Sequence, residues 1–194
     1  MQFQKQPVFG FTRKYPGRSR VLTSDISVSL PFDPSTGEPE PEKKLFTCIW
    51  DTGATGTVIT PNVVTALNLK PTGKGRSYAV GLSGTVNESI VNTYLVNLYL
   101  PNRVNMIGVR VSEGSVLGGD VLLGMDIIGL GDFAVTNRDG LTCMSFRFPS
   151  VTTIDFVAEI NEYKRRHDRT TLPEDEHRRL RNREKRERRR QRGK

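Results

Sequence analysis

The residues best suited to carry out chemistry in this chain form one short loop, Asp51-Thr52-Gly53. Most residues at positions 45–50 are apolar, which predicts a buried strand that ends on the carboxylate of Asp51. A carboxylate beside a core is costly unless it is neutral, hydrogen-bonded to a cation, or sharing a proton with a second acid. The chain turns apolar again at Val58–Ile59, so we expect the acid to lie between two buried strands.

The rest of the composition argues against the other common hydrolytic chemistries. Both histidines, His167 and His177, lie in a basic C-terminal segment, so nucleophile pairs and zinc sites in the body lack an imidazole. The two cysteines, Cys48 and Cys143, fall in apolar runs, which predicts neither a disulfide framework nor a structural zinc site. Carboxylate chemistry remains, and we expect neither a cofactor nor a metal.

Short apolar runs separated by Gly, Pro and Asn predict a mostly β body. The runs are VLTSDISVSL, KLFTCIW, RSYAV, IVNTYLVNLYL, MIGVRVS, DVLLG, FAVT and LTCMSFRF. A tight hairpin is predicted at Arg138–Gly140, and one short helix is predicted after Thr60, with Pro61 in its first turn. A second helical turn is expected after Gly124.

The pattern becomes helical from residue 151 onward, with Thr152 or Thr153 as the expected cap. The apolar residues at helical spacing are Ile154, Val157, Ile160 and Tyr163. We therefore predict four segments: an N-terminal extension at 1–20, a β domain at 21–150, a helix docking on it at 151–167, and a charged tail at 168–194. The tail is expected to be disordered or a lone helix.

Positive charge is concentrated at the C-terminal end. Residues 159–194 hold 15 Lys and Arg against 8 Asp and Glu, which leaves 14 against 13 in the rest of the chain. Such a segment suits binding to nucleic acid or to an acidic partner, or a purely solubilising role. No run has the length of a membrane span and no signal peptide is evident, so we expect a soluble, cytoplasmic protein without a membrane partner.

Three segments of the body resemble, in the expected order, the motifs of retropepsin-like aspartic proteases. IWDTGATGTVIT, around Asp51, is similar to that family's active-site loop. AVGLSGTV is similar to its flap, a glycine-rich hairpin tip in which Gly81 and Gly84 flank Leu82. VLLGMDII resembles the apolar-apolar-Gly-x-Asp/Asn motif that packs behind the catalytic loop and begins a short helix.

Two positions depart from the pattern of the retroviral members. These often place an acid two positions after the Gly and an Arg in the second motif, forming an ion pair. This chain has Thr55 and Met125 at those positions, so both halves of the pair are missing together. The departure favours a cellular or bacterial branch, and the family's substrate-anchoring contacts are not carried over to this chain.

The resemblance implies a closed, mostly antiparallel β-barrel-like fold and an aspartic endopeptidase acting on a peptide or protein substrate. In that chemistry two carboxylates a few ångströms apart hold one proton between them and activate a water. The chain contains one Asp-Thr-Gly and no Asp-Ser-Gly. A symmetric homodimer is therefore expected to bring Asp51 against its own copy.

The resemblance also implies roles for neighbouring residues. Thr52 is expected to hydrogen-bond across the two-fold axis, Gly53 to permit close approach of the backbone, and Ala54 to leave room for the substrate. Gly124 and Asp126 belong to the second motif, where we predict that Asp126 caps its own helical turn. The residues expected to close over a bound peptide are Ala79, Val80, Gly81, Leu82, Ser83 and Gly84.

Two other patterns are better explained without a site. GLGDFA, residues 129–134, matches the dinucleotide pattern G-x-G-x-x-A, but the residues after it predict a hairpin rather than the helix that a pyrophosphate requires. Asp120, Asp126 and Asp132 occur close to glycines in turn-like sequence, which indicates turn acids rather than a magnesium site.

The alternative to a protease is a catalytically silent module that keeps the fold and the dimer. Its basic tail would contact nucleic acid or an acidic partner. The intact Asp51-Thr52-Gly53 favours the enzyme, because a silent copy has no chemical reason to keep an acid in an apolar loop.

Overall fold

The computed structural model describes residues 7–37, 39–80 and 86–171, and, in the C-terminal segment, 175, 176, 178, 179, 181–183, 185 and 186. The chain divides into two units, Met1–Thr152 and Thr153–Lys194. The described part of the first unit is mostly β, and that of the second is helical. The predicted fold class is therefore confirmed.

Ten strands and two short helices form the described part of the first unit. In chain order they are β1 (Phe9–Lys14), β2 (Leu22–Ser29), β3 (Lys44–Trp50), β4 (Val58–Ile59), α1 (Pro61–Ala66), β5 (Gly73–Val80), β6 (Val86–Leu100), β7 (Val104–Glu113), β8 (Val121–Leu123), α2 (Met125–Ile128), β9 (Asp132–Thr136) and β10 (Cys143–Phe148). Every strand run predicted from the sequence overlaps one of these strands. Helix α1 begins at Pro61 as expected, although the Thr60 hydroxyl accepts no capping hydrogen bond from it.

The main sheet is ring-like. Its seven strands pair in the order β2-β3-β8-β4-β7-β6-β5, and β2 also pairs with β6, so the pairings return to their starting strand. The β2–β6 pairing spans only three residue pairs, and the β3–β8 and β4–β7 pairings are parallel. The sheet is thus partly closed and mostly antiparallel, in agreement with the expected barrel-like fold, and its two parallel pairings are an additional feature. Parallel pairing of β3 with β8 places the carboxyl ends of these two strands side by side.

A second sheet of three strands, in the order β1-β10-β9, is antiparallel throughout. Strand β1 falls inside the segment that the sequence indicated was an N-terminal extension. Its apolar alternation is only three residues long, Phe9 to Phe11, which is too short to predict a strand without knowing its partner.

An aromatic cluster joins the two sheets. The indole of Trp50, at the end of β3, stacks on Phe133 of β9 with ring centroids 5.4 Å apart and an interplanar angle of 5°. It also meets Phe146 of β10 at 5.1 Å and Phe11 of β1 at 5.8 Å. The residue before the candidate catalytic acid is therefore held by all three strands of the second sheet.

Asp132, the first residue of β9, collects several hydrogen bonds where the first unit ends. Its Oδ1 accepts from the Ser150 hydroxyl, and its Oδ2 accepts from the Val151 N–H at 3.0 Å and from Arg147 Nε at 2.8 Å. The hydrogen bonds from Ser150 and Val151, together with the Arg147 charge, lower the pKa of Asp132 to about 2. These contacts favour the ionised carboxylate in the folded state.

We therefore expect Asp132→Asn to destabilise the protein in a pH-dependent way. Because the folded-state pKa lies below the ordinary value of about 4, the carboxylate stabilises the fold above about pH 4, and this contribution is lost as the pH falls through about 2. The measurement is the free energy of unfolding in urea for both proteins between neutral pH and about pH 2. Asp139→Asn is the control, because Asp139 is an 82 % exposed acid in the β9–β10 turn. A difference between wild type and Asp132→Asn that stays constant across this range would contradict the expectation.

The second unit contains α3 (Phe156–Thr171). Asp155 caps this helix, since its Oδ1 accepts the N–H groups of Val157 and Ala158, each at 3.0 Å. The predicted threonine cap is wrong because the helix starts later in the chain than its apolar spacing indicated. The docking of this helix on the β unit stays a prediction. No helix within the described residues is long and apolar enough to cross a membrane.

Candidate active site

Asp51 follows β3 directly and is held by its backbone. Its N–H donates to the carbonyl of Leu123, the last residue of β8, at 3.0 Å. Its Oδ1 accepts the N–H of Gly53 at 2.8 Å, and its own carbonyl accepts the N–H of Ala54 at 3.3 Å. A Cβ at Gly53 would lie 3.1 Å from this Oδ1, so a side chain there would crowd the carboxylate. The loop therefore fixes one oxygen of the acid.

The other oxygen of Asp51 has no hydrogen-bond partner among the described residues. Among the residues described, no side chain or backbone group hydrogen-bonds to Oδ2, and no lysine or arginine forms an ion pair with this carboxylate. Asp51 is partly buried, while Thr52 beside it is exposed. Pairing with a cation, one of the three ways to accommodate a carboxylate beside a core, is thus not observed for Asp51 among the described residues.

The second motif lies directly behind the loop. The N–H of Met125 donates to the Ala54 carbonyl at 2.8 Å, and the N–H of Asp126 donates to the Thr55 carbonyl at 3.2 Å. A Cβ at Gly124 would lie 2.6 Å from backbone atoms of Gly56, a distance that no side chain can tolerate. The glycine is required because the two backbones touch at this point.

The carboxylate of Asp126 mainly links the second motif to the Asp51 loop by hydrogen bonds. Its Oδ1 accepts the Thr57 hydroxyl at 2.8 Å and its Oδ2 accepts the Thr57 N–H at 2.9 Å. It also accepts the N–H of Ile127 at 3.0 Å, but the residue at the N-cap position of α2 is Gly124. The predicted cap of its own turn is therefore a minor part of what Asp126 does.

Thr57 is the residue that sequence reasoning missed. It is 2 % exposed, and its hydroxyl also accepts the Gly124 N–H at 3.3 Å, so it joins both motifs. Its partner Asp126 lies 69 positions away in the chain. A single threonine gives no sequence signal for such a contact. The only hint is its position in the chain, between the Asp51-Thr52-Gly53 loop and the second motif.

The flap is described only in part. Ala79 and Val80 end β5, and the hairpin with β6 is paired up to Val80 and Val86. The remaining flap positions, Gly81, Leu82, Ser83 and Gly84, lie outside the described residues. The roles assigned to all six flap residues stay predictions.

The other acids considered at the sequence level have structural partners. Asp120 accepts the Thr47 N–H at 3.2 Å and the Asn62 amide at 2.8 Å. Within the described ranges, no group of three or more His, Cys, Asp or Glu residues is placed to hold a metal ion. The dinucleotide-like segment leads into strand β9 at Asp132 and not into a helix.

The comparison with known proteins agrees with the motifs. A family model described as "gag-polyprotein putative aspartyl protease" matches residues 42–129, from just before β3 to the end of α2. No curated protein matches the chain. Among solved structures, one similar to this chain is a retropepsin-like aspartic protease from Rickettsia conorii. It is 14 % identical, covers 75 % of this chain and 98 % of its own, and has a TM-score of 0.44. The family match spans the Asp51 loop, the flap segment and the second motif, so residues 42–129 are similar to that aspartyl protease family.

Proposed function

We propose that this protein is an aspartic endopeptidase. Two Asp51 carboxylates, one from each subunit of a homodimer, would activate a water that attacks a peptide bond. The observation that carries the proposal is the state of Asp51: one oxygen is fixed by the Gly53 N–H, and the other has no partner among the described residues. Such an oxygen is available to a second acid or to a water.

The dimer follows from the chemistry of the pair. Two carboxylates placed close together cannot both ionise comfortably, so they share one proton. The ionised member then takes a proton from the water, and the protonated member donates to the carbonyl or to the leaving amine. Because the chain has one Asp-Thr-Gly, the second carboxylate comes from a second copy across a two-fold axis.

The backbone ties of the loop suit this role. Catalysis by positioned groups requires that the reacting atoms stay within about 0.5 Å of their productive places. The Asp51 loop is held to β8 through Leu123, to α2 through Met125, and to Asp126 through the buried Thr57. A carboxylate whose loop is anchored to β8 at one point and to α2 at two points is well placed to keep its geometry through many turnovers.

The substrate would bind as an extended peptide. The β5–β6 hairpin is described up to Val80 and Val86, and we expect the flap residues that join these two positions to offer backbone amides to an extended chain. Closure of the flap would exclude water other than the attacking one. Cleavage preference would then depend on side chains of the flap and of the strands around Asp51.

The proposal is tested by a pH series of cleavage on a mixed peptide library, with the molar mass determined in each buffer. We expect a dimer whose activity is highest at acidic pH, where the pair holds one proton, and falls as the pH rises and both acids ionise. A dimer that cleaves nothing at any pH would instead favour the silent binding module with its basic tail. Cleavage by a strict monomer would contradict the shared-proton pair.

A further inference from the structure

Helix α3 presents an apolar stripe to solvent. Phe156, Ile160 and Tyr163 follow one another at intervals of four and three residues, the spacing of a coiled-coil seam, and His167 continues it. These side chains are substantially exposed: Phe156 by 64 %, Ile160 by 52 % and Tyr163 by 68 %. The rings of Tyr163 and His167 lie 6.0 Å apart along the stripe. A helix of 16 residues is marginal in water by itself, so a partner that covers this stripe would stabilise it.

The charges of α3 are divided along its length. Glu159 and Glu162 lie in the first half of the helix, after the capping Asp155. Residues 164–166, in its second half, are Lys-Arg-Arg. An antiparallel pair of two copies would set each acidic half beside a basic half. A parallel pair would set like charges together. The helix is therefore complementary to an antiparallel copy of itself.

The charged residues directly beside the stripe are also complementary between two antiparallel copies of the helix. Glu159 directly precedes Ile160, and Arg166 directly precedes His167, so both lie on one side of the seam. In an antiparallel pair, residues on the same flank of the two helices face each other. Glu159 of one copy would then lie near Arg166 of the partner subunit, and this contact occurs twice because of the two-fold symmetry.

We propose that α3 is a self-association element in which two copies of this chain pair antiparallel through the stripe. The two-fold axis passes between Ile160 and Tyr163, so that each of these residues packs against the other type in the partner. Phe156 packs against His167 of the partner subunit. The inference rests on the proposed function in one respect only, since the shared-proton pair supplies the reason for a second copy. The helix pair adds to whatever contact the β units make.

The first test measures the dimer dissociation constant of the full chain by sedimentation velocity over a concentration series. We expect Ile160→Glu to raise this constant about tenfold or more, because it places a charge in the seam. Asn161→Glu is the matched control, since it adds the same charge to the opposite face and is expected to leave the constant unchanged. Helicity is followed by circular dichroism in both variants.

A charge exchange tests the antiparallel arrangement. Glu159→Arg and Arg166→Glu should each weaken the dimer about threefold to tenfold, and the double variant should dimerise more tightly than either single variant. The recovery is partial, because Arg166 also pairs with Glu162 of its own helix at 3.0 Å. A helix covered by the β unit of its own chain, or by nucleic acid, would show no such recovery. Equal dissociation constants for wild type and Ile160→Glu, or a chain that is monomeric throughout, would overturn the inference.

A cross-linking experiment fixes the orientation. Cys143 is replaced by Ser; Cys48 is buried, which raises the pKa of its thiol to about 12 and leaves it unreactive near neutral pH. A mixture of Ile160→Cys and Tyr163→Cys chains should form a disulfide faster than either variant alone. A parallel pair would instead cross-link Ile160→Cys fastest with itself, and that outcome would overturn the proposal.

These outcomes are separable from the endopeptidase proposal. Loss of the α3 effect with cleavage intact would remove only the self-association role of the helix. A dimer that responds to the α3 variants but cleaves no peptide would retain that role and remove the enzyme.

Discussion

Asp51→Asn is expected to lower the rate of peptide cleavage by at least about 10³-fold while the protein stays folded and dimeric. The asparagine keeps the size of the side chain and the oxygen that accepts the Gly53 N–H at 2.8 Å. It cannot take a proton from water or share one with its copy, so the two-acid chemistry is lost. The measurement is single-turnover cleavage of a peptide identified from the library, with the molar mass in the same buffer.

Mixing the variant with wild type gives the sharper result. Because the proposed site takes one Asp51 from each chain, mixed dimers are expected to be inactive. At a fixed amount of wild type, activity should fall to about half with an equal amount of Asp51→Asn and to about a tenth with a ninefold excess. Asp139→Asn, the same chemical change in an exposed turn, serves as the control and should not inhibit. Undiminished activity in the presence of excess Asp51→Asn would show that one chain is sufficient.

Trp50→Ala is expected to produce the largest loss of stability, about 3–5 kcal/mol in the free energy of unfolding. Trp50 is 4 % exposed, and its ring packs on aromatic side chains from all three strands of the second sheet. Its Nε1 donates to the Ser24 hydroxyl at 2.9 Å, so truncation would also leave a buried hydroxyl without its donor. The cavity and the lost hydrogen bond act in the same direction.

Two further variants separate these contributions. Trp50→Phe keeps an aromatic ring for Phe133 but loses the indole N–H, and Ser24→Ala removes only the acceptor, at an expected cost of about 1 kcal/mol. Unfolding in urea is followed by circular dichroism, because Trp50 is the single tryptophan of the chain. A cost for Trp50→Ala no greater than that of Ser24→Ala would show that the aromatic cluster contributes little.

Elements whose signals are local were predictable from the sequence. The segment KLFTCIW matches β3 (Lys44–Trp50), and the Arg138–Gly140 turn joins β9 to β10 with Asp139 and Gly140 at positive φ. In both cases the apolar run or the turn chemistry is contained within a few residues. The loop at Asp51 was found for the same reason.

Features that depend on distant partners could not be predicted in this way. The parallel pairing of β3 with β8 joins Cys48 to Val121, and the contact of Thr57 with Asp126 spans a comparable separation. Strand β1 is stabilised by β10, at the other end of the unit. The cap of α3 was missed for a local reason, since the apolar spacing already begins at Ile154, whereas the helix begins at Phe156 and is capped by Asp155.

The aromatic cluster around Trp50 extends beyond the segment that matches the family model. The segment that carries the family signature is residues 42–129, yet Phe11, Phe133 and Phe146 all lie outside it, as does β2, which pairs with β3 and β6. A truncated chain limited to the signature would expose one face of Trp50 and leave the edge of β3 unpaired, next to the Asp51 loop. The segment that matches the family model is therefore smaller than the unit that folds, and the flanking strands belong to that folded unit as fully as the Asp-Thr-Gly loop does.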